Sequence, residues 1–277
     1  MTRMRAMTTE PDQLLRRGLA SVSHTLAKVL PPILAFLALM AIWQFVSTAG
    51  IVPPDMLPAP SRILTSGYHE RENLALHAFP TLTATLAGFS LSVTVAFLTA
   101  SILDFFAWLR RALLPLLIVT QTLPLIALAP LVVLWFGFGM LPKILLVAFV
   151  TYFPMVVGFL RGFDSAEPEA EWLLRSMGAR RWAIFRKVRL PSAIPSFFSS
   201  LRISITYAVV GAIFAEYAGA TYGLGVYMQS AKNVFRTDLV LAAVLVSTLL
   251  TLALYASVSL IERIFVPWLR IEQGGAR

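Results

Sequence analysis

DLVLAAVLVSTLLTLALYASVSLI, residues 238–261, carries one charged side chain, at its first position, and neither proline nor glycine. As a helix these residues would rise about 36 Å at about 1.5 Å per residue, enough to cross a hydrocarbon core about 30 Å thick. Outward along the chain the pattern recurs. Apolar stretches at 30–49, 79–103, 112–135, 142–161 and 195–219 approach the same length. The expected fold class is therefore all-α, a polytopic membrane protein with six transmembrane helices. Composition agrees, since 58% of the 277 residues are hydrophobic and 13% are charged, against about 45–50% and about 25% in soluble domains. Such a chain has too little charge to cover a water-facing surface.

The basic residues read as a topology signal. With the N-terminus inside, seventeen lysines and arginines fall on inner segments and five on outer ones (Arg62, Arg71, Lys143, Lys232 and Arg236), while Arg202 sits near the inner end of the fifth stretch. Lysine and arginine accumulate on the cytoplasmic side of membrane proteins, so an even number of spans with both termini cytoplasmic is expected. The net charge of +9 then needs no nucleic-acid partner. Residues 1–29 are expected to form a cytoplasmic N-terminal tail, 30–270 the six-span domain, and 271–277 a cytoplasmic C-terminal tail. There is no cysteine, and His24, His69 and His77 lack ligand spacing, so no metal site is expected.

The third and fourth stretches contain Pro115, Pro124, Pro130, Pro142 and Pro154. Membrane helices tolerate proline where neighbours re-satisfy the freed carbonyls, and kinks or breaks are expected in both. The inside connection 162–194, GFDSAEPEAEWLLRSMGARRWAIFRKVRLPSAI, is the longest and most charged. Trp172, Leu173, Met177, Trp182, Ile184, Phe185 and Val188 recur at helical spacing. Gly178 is a natural corner between two helical runs, because glycine accepts left-handed backbone angles. Pro191 and Pro195 are expected to end the second run. Such an element either lies on the bilayer surface or fits a partner's groove.

That loop resembles the cytoplasmic signature of permeases of ATP-binding-cassette importers, in which Glu-Ala-Ala is followed by glycine and then by an Ile/Leu-Pro pair. Gly178 stands in the glycine place and Leu190-Pro191 in the final pair. Trp172-Leu173-Leu174 occupies the Glu-Ala-Ala positions, with Glu171 one residue early. LPAPSRIL (57–64), QTLPLIALAPLVVLWFGFG (121–139) and TYFPMVVGFLRG (151–162) resemble segments of the nitrate/sulfonate/taurine-type branch. The runs 173–195 and 206–225 lean toward its thiamine-pyrimidine-precursor and riboflavin members.

The resemblance, over residues 30–270, implies a type I ABC importer permease in the bacterial cytoplasmic (inner) membrane. It implies ATPase subunits, a second permease copy forming a homodimer, and an extracytoplasmic substrate-binding protein as partners. The solute would be a thiamine pyrimidine precursor or riboflavin-like molecule, or else a nitrate/sulfonate/taurine-type anion. ATPase coupling would fall on Glu171, Trp172, Leu173, Leu174, Arg175, Ser176, Met177, Gly178, Ala179, Arg180 and Arg181. The chain has no Gly-x-x-x-x-Gly-Lys-Ser/Thr loop to cradle phosphates, so it is expected to be no enzyme and to bind no cofactor, with ATP and Mg in the partner ATPase.

Glu216 lies inside the fifth stretch, where a carboxylate is expensive. It would touch a passing substrate, brace helix packing, or simply be exposed at the interface. Gln121, Thr122 and Tyr207 would either line a polar path or act as packing glue. Asp104, at the inner end of the second stretch, is expected to be exposed at the interface. The glycine-rich stretch 219–225 would form an outer gate, a docking edge or an ordinary loop. An ion-coupled secondary transporter is the rival class, but it would need intramembrane acid pairs. A membrane-embedded enzyme would need converging catalytic groups, and none is visible.

Overall fold

The computed structural model describes residues 30–266; the expected tails at 1–29 and 271–277 lie outside the described residues. All regular elements among the described residues are helices. The chain divides into two compact units at Thr65/Ser66. In the first, α1 (Leu30–Thr48) is apolar and almost wholly exposed, a surface that lipid would cover. Its C-terminal end is tied to the turn that follows: the Gln44 amide donates to Ser61 Oγ at 3.0 Å and accepts from the Ser61 N–H at 3.2 Å. Ser47 Oγ donates to the Leu57 carbonyl at 2.7 Å. Helix α2 (Pro60–His69) opens on a proline, whose missing N–H costs nothing in a first turn.

The second unit contains α3 (Arg71–Phe105), α4 (Ala107–Gln121), α5 (Leu125–Phe136), α6 (Met140–Asp164), α7 (Pro168–Ser176), α8 (Arg181–Ile184), α9 (Leu190–Gly219), α10 (Leu224–Asn233) and α11 (Thr237–Phe265). Among the described residues of both units, five helices are long and apolar enough to cross a membrane, α1 included and Arg181–Gly219 counted as one. The expected third span is instead two helices, α4 and α5, bent by 99°. Pro124 is the cause, because it lacks an N–H and disfavours helical backbone at Leu123. The expected break in the fourth span does not occur. Pro154 sits inside an unbroken α6 flanked by buried Thr151, Met155, Val156 and Gly158, and packing there keeps the helix continuous past the proline.

Polar contacts fix which helix ends lie level. Arg189 donates to Asp104 at 2.5 Å, and Arg110 forks onto Asp164 at 2.6 and 2.9 Å. The end of α3, the start of α4, the end of α6 and the approach to α9 therefore share one level. At the opposite level Thr81 of α3 and Lys143 of α6 both reach Glu216 of α9. Helices α3 and α6 thus run parallel and α9 runs against them. The pair α4–α5 must carry the chain from one level to the other, so the bent pair is a crossing.

Pro191 and Pro195 do not end the second run of the loop. The helical path continues from α8 through a π turn (Phe185–Arg189) into α9. Widened hydrogen bonding of this kind carries the helix past Pro191, which has no N–H to donate.

The seam between α6 and α9 is built from small residues. A Cβ at Gly158 would fall on the Ser200 side chain, and one at Gly162 would lie 2.7–3.0 Å from Ala193. This Gly-x-x-x-Gly face lets two backbones approach closely, which drives helix association in lipid. Gly158→Val is expected to destabilise the purified protein by about 1–3 kcal/mol through overpacking. A lowered thermal midpoint in detergent that Ser200→Gly partly restores would match this; an unchanged midpoint would not.

Candidate functional site

The connection between α6 and α9 folds into a rigid projection. Helix α7 begins with Pro168 and holds Glu169 and Glu171 in its first turn, where negative charge complements the helix dipole. It ends at Gly178, whose φ is +78°. The Gly178 N–H bonds the Arg175 carbonyl and the Ala179 N–H bonds the Leu174 carbonyl, both at 2.9 Å. That pair is the Schellman closure, which needs a left-handed residue at its corner. A Cβ on Gly178 would meet nothing within 4 Å, so the corner requires glycine for its backbone angle and not for space.

Around this corner large apolar side chains point away from the protein. Trp172 is 66% exposed, Leu173 64% and Met177 74%. Arg175, Ser176, Arg180 and Arg181 are exposed beside them, while Leu174 and Ala179 are half-buried. Trp182 rests one face on Phe105 and Phe185, with ring centroids 6.2 and 5.7 Å away. Phe185 in turn packs edge-on against Phe163 of α6.

Glu171 turns inward. Its carboxylate accepts from Arg189 at 2.6 and 3.1 Å, and Arg175 lies 3.6 Å away. Arg189 also holds Asp104, whose side chain is 5% exposed. Asp104 is therefore an ion-paired anchor, not the interfacial acid expected from the sequence, because the loop folds back over the end of α3. One guanidinium joins the projection to the end of a long membrane helix. Arg189→Ala is expected to cost about 3–5 kcal/mol by leaving two carboxylates without their partner. Arg189→Lys would rescue little, since an ammonium cannot reproduce the forked geometry. Limited proteolysis at 171–181 would read the loosened loop, and parent-like resistance in the alanine variant would refute the anchoring.

Among the four candidate pathway residues the structure brings two together. Gln121 and Tyr207 line one cavity of about 580 Å3, with Phe149, Phe153 and Arg161 on the same wall. Thr122 is in the α4–α5 elbow, its hydroxyl donating to the Val119 carbonyl at 2.8 Å. Across the elbow a second cavity of about 350 Å3 is lined by Ile126, Phe214, Tyr217, Gln229 and Lys232. The α9 residues Ile203, Tyr207, Val210, Phe214 and Tyr217 line one or the other. Their alternating spacing of four and three puts them on one helix face, so a single stripe of α9 runs past both cavities.

Glu216 lies off that stripe and is 2% exposed. Thr81 Oγ donates to it at 2.8 Å and the Gly225 N–H at 2.9 Å, with Lys143 Nζ at 3.6 Å. Lys143 also donates to the Tyr222 carbonyl at 2.7 Å, and Thr81 Oγ accepts the Leu224 N–H at 2.9 Å. His77 Nδ1 pairs with the backbone of Gly223. A Cβ on Gly223 would land on the Glu216 carboxylate. The glycine-rich stretch is thus the strap by which α10 is fastened to α3, α6 and α9. Lys143 escaped the sequence reading because it stands only three residues inside α6 and counts equally well as an outer-loop charge.

A helical bundle with a broken crossing, paired cavities along one helix and an exposed apolar projection fits a membrane transport subunit. Residues 92–271 match the family of binding-protein-dependent transport system inner membrane components, and the chain belongs to that family, the permeases of ABC importers. The formylaminopyrimidine transport permease protein ThiX of Halalkalibacterium halodurans is 34% identical over 242 residues, covering 87% of this chain and 96% of the relative. The riboflavin transport system permease protein RibX of Chloroflexus aurantiacus is 32% identical, covering 83% and 87%. The taurine transport system permease protein TauC of Escherichia coli is 28% identical, covering 83% and 86%. In fold, the chain resembles a permease chain of the inward-facing MetNI methionine ABC transporter with a TM-score of 0.56 at 20% identity, covering 69% of this chain and 97% of that one. It also resembles one of a bacterial alginate importer with a TM-score of 0.58 at 16% identity, covering 91% and 99%. The chain is the membrane permease of a small-solute importer.

Proposed function

We propose that two copies of this chain form the membrane pathway of a bacterial cytoplasmic-membrane importer, gripped by ATPase subunits at residues 171–181. The carrying observation is the cluster of exposed Trp172, Leu173 and Met177 on a corner capped by Gly178 and braced by Arg189. A groove on a partner would bury these side chains, and the brace would turn the partner's movement into helix movement. ATP and Mg belong to that partner, and this chain binds neither. Six crossings and the seventeen-to-five distribution of basic residues support both termini on the cytoplasmic side. A binding protein delivers the solute from outside. The pathway follows the exposed stripe of α9, with Gln121 and Tyr207 facing the solute.

The solute proposed is a heterocycle of the thiamine-pyrimidine-precursor or riboflavin kind, supported by the similarity to ThiX and RibX, each above 30% identity. The aromatic wall of the larger cavity suits a flat ring. A taurine- or sulfonate-type anion is the second reading, favoured by Arg161 in that cavity. The test is recovery of the tagged permease from its native membranes, with and without a Gly/Ser linker replacing 171–181. Co-purification of an ATPase with the intact chain and its loss with the linker is the expected result. No ATPase under cross-linking would overturn the grip. Competition of labelled riboflavin, formylaminopyrimidine and taurine for ATP-driven uptake into vesicles separates the solute readings.

A further inference from the structure

Charge is distributed unequally between the two sides of α9. Six acids at the membrane helices of the second unit and the loop are ion-paired: Asp104 and Glu171 with Arg189, Asp164 with Arg110, Glu216 with Lys143, Asp238 with Arg236 and Glu262 with Arg202; at the exposed start of α3, Glu70 accepts from Asn73 and Glu72 lies 3.9 Å from Arg71. Among the described residues no carboxylate lines either cavity along the stripe. Each cavity instead holds one cation, Arg161 at the cytoplasmic end of the larger and Lys232 at the outer end of the smaller. Both are exposed, and neither has an ion-pair or side-chain hydrogen-bond partner among the described residues. Between them lie aromatic and aliphatic side chains with the hydroxyls of Thr120, Ser200, Tyr207 and Tyr217 and the amides of Gln121 and Gln229.

We infer that the pathway is a charge filter with a cation at each mouth, which admits anionic or acceptor-rich ring solutes and rejects organic cations. The inference rests on the pathway following this face of α9. Low-dielectric walls lined by one sign of charge focus the field and raise the local concentration of the opposite sign. With no carboxylate lining either cavity, nothing on the wall offsets Arg161 and Lys232. A solute bearing a sulfonate, a phosphate or ring carbonyls meets a donor at entry and another at exit. An ammonium meets repulsion at both.

The chain has no cysteine, so single cysteines can report the field whatever the solute is. In the assembled transporter, Tyr207→Cys and Phe214→Cys would each be reacted with an anionic and a cationic methanethiosulfonate, with rates normalised to a free thiol and to Phe235→Cys in an exposed loop. The expected result is a preference for the anionic reagent of about tenfold at both positions, within the range of electrostatic steering. Arg161→Gln should abolish it at position 207 and Lys232→Gln at position 214. Equal rates, a cationic preference, or a preference that survives the glutamine variants would overturn the filter while leaving the pathway in place. No reaction with either reagent, together with undiminished uptake after treatment, would mean that no aqueous path follows this face, and both readings would fall.

Discussion

Glu216→Ala is expected to be the most damaging single substitution in the membrane interior. The carboxylate is the meeting point of four elements: Thr81 from α3, Lys143 from α6, the Gly225 N–H that opens α10, and α9 itself. Its removal leaves the Lys143 ammonium, 7% exposed, with the Tyr222 carbonyl as its one remaining partner. Breaking a buried pair from one side costs about 3–5 kcal/mol, a large part of the about 5–15 kcal/mol that holds a typical protein together. Replacing both partners by apolar groups is often close to neutral. Glu216→Leu with Lys143→Met should therefore be more stable than Glu216→Ala, short of the parent by the lost bonds to Thr81 and Gly225. Thermal midpoints in detergent, with protease sensitivity of residues 219–233, would read both. A Glu216→Ala protein as stable and resistant as the parent would refute the strap.

Leu173→Asp and Gly178→Pro are expected to separate ATP hydrolysis from uptake, by different routes. Leu173 is largely exposed and supports nothing within the chain, so aspartate there should leave the fold and the midpoint unchanged. It would place a charge where a partner's apolar groove closes. At 1.4 kcal/mol per factor of ten, even a modest desolvation cost lowers uptake by about tenfold or more. Proline at 178 destroys the corner, since its φ is locked near −65° where +78° is needed, and it deletes the N–H that bonds Arg175. Gly178→Ala is the milder control, costing about 1–2 kcal/mol for left-handed backbone with no steric penalty. Assays of the reconstituted complex would compare uptake with ATPase activity stimulated by the binding protein. Normal stimulation and uptake in Leu173→Asp would sink the grip at this corner.

The crossings were legible because hydrophobic length is a one-dimensional signal. The loop corner was legible because a glycine between two amphipathic runs has few other uses. The elbow was half legible: Pro115, Pro124 and Pro130 look alike in sequence, yet Pro115 and Pro130 stand inside continuous helices and only Pro124 stands at the break. Glu216 announced a cost but not its partner, since no period relates residue 216 to 143 or 81. Arg161 and Arg189 both counted as inside charges. One proves to be an anchor and the other lines a cavity, a difference made by which acids the fold brings within reach.

Helix α3 is fastened to the loop projection through Asp104, near its C-terminal end, and to the glycine-rich strap through Thr81, ten residues from its N-terminal end, and between them Gly88 lies close against Ile144 and Val147 of α6. Moved as a rigid rod about the contact at Gly88, this helix would act as a lever. The inner arm, Gly88 to Asp104, measures about 24 Å and the outer arm, Gly88 to Thr81, about 10 Å. A sideways push on the projection therefore reappears at α10 reversed in sense and at somewhat less than half its amplitude, geared down in distance and up in force. Squeezing the inner ends together and spreading the outer ends apart are, for this helix, the same motion.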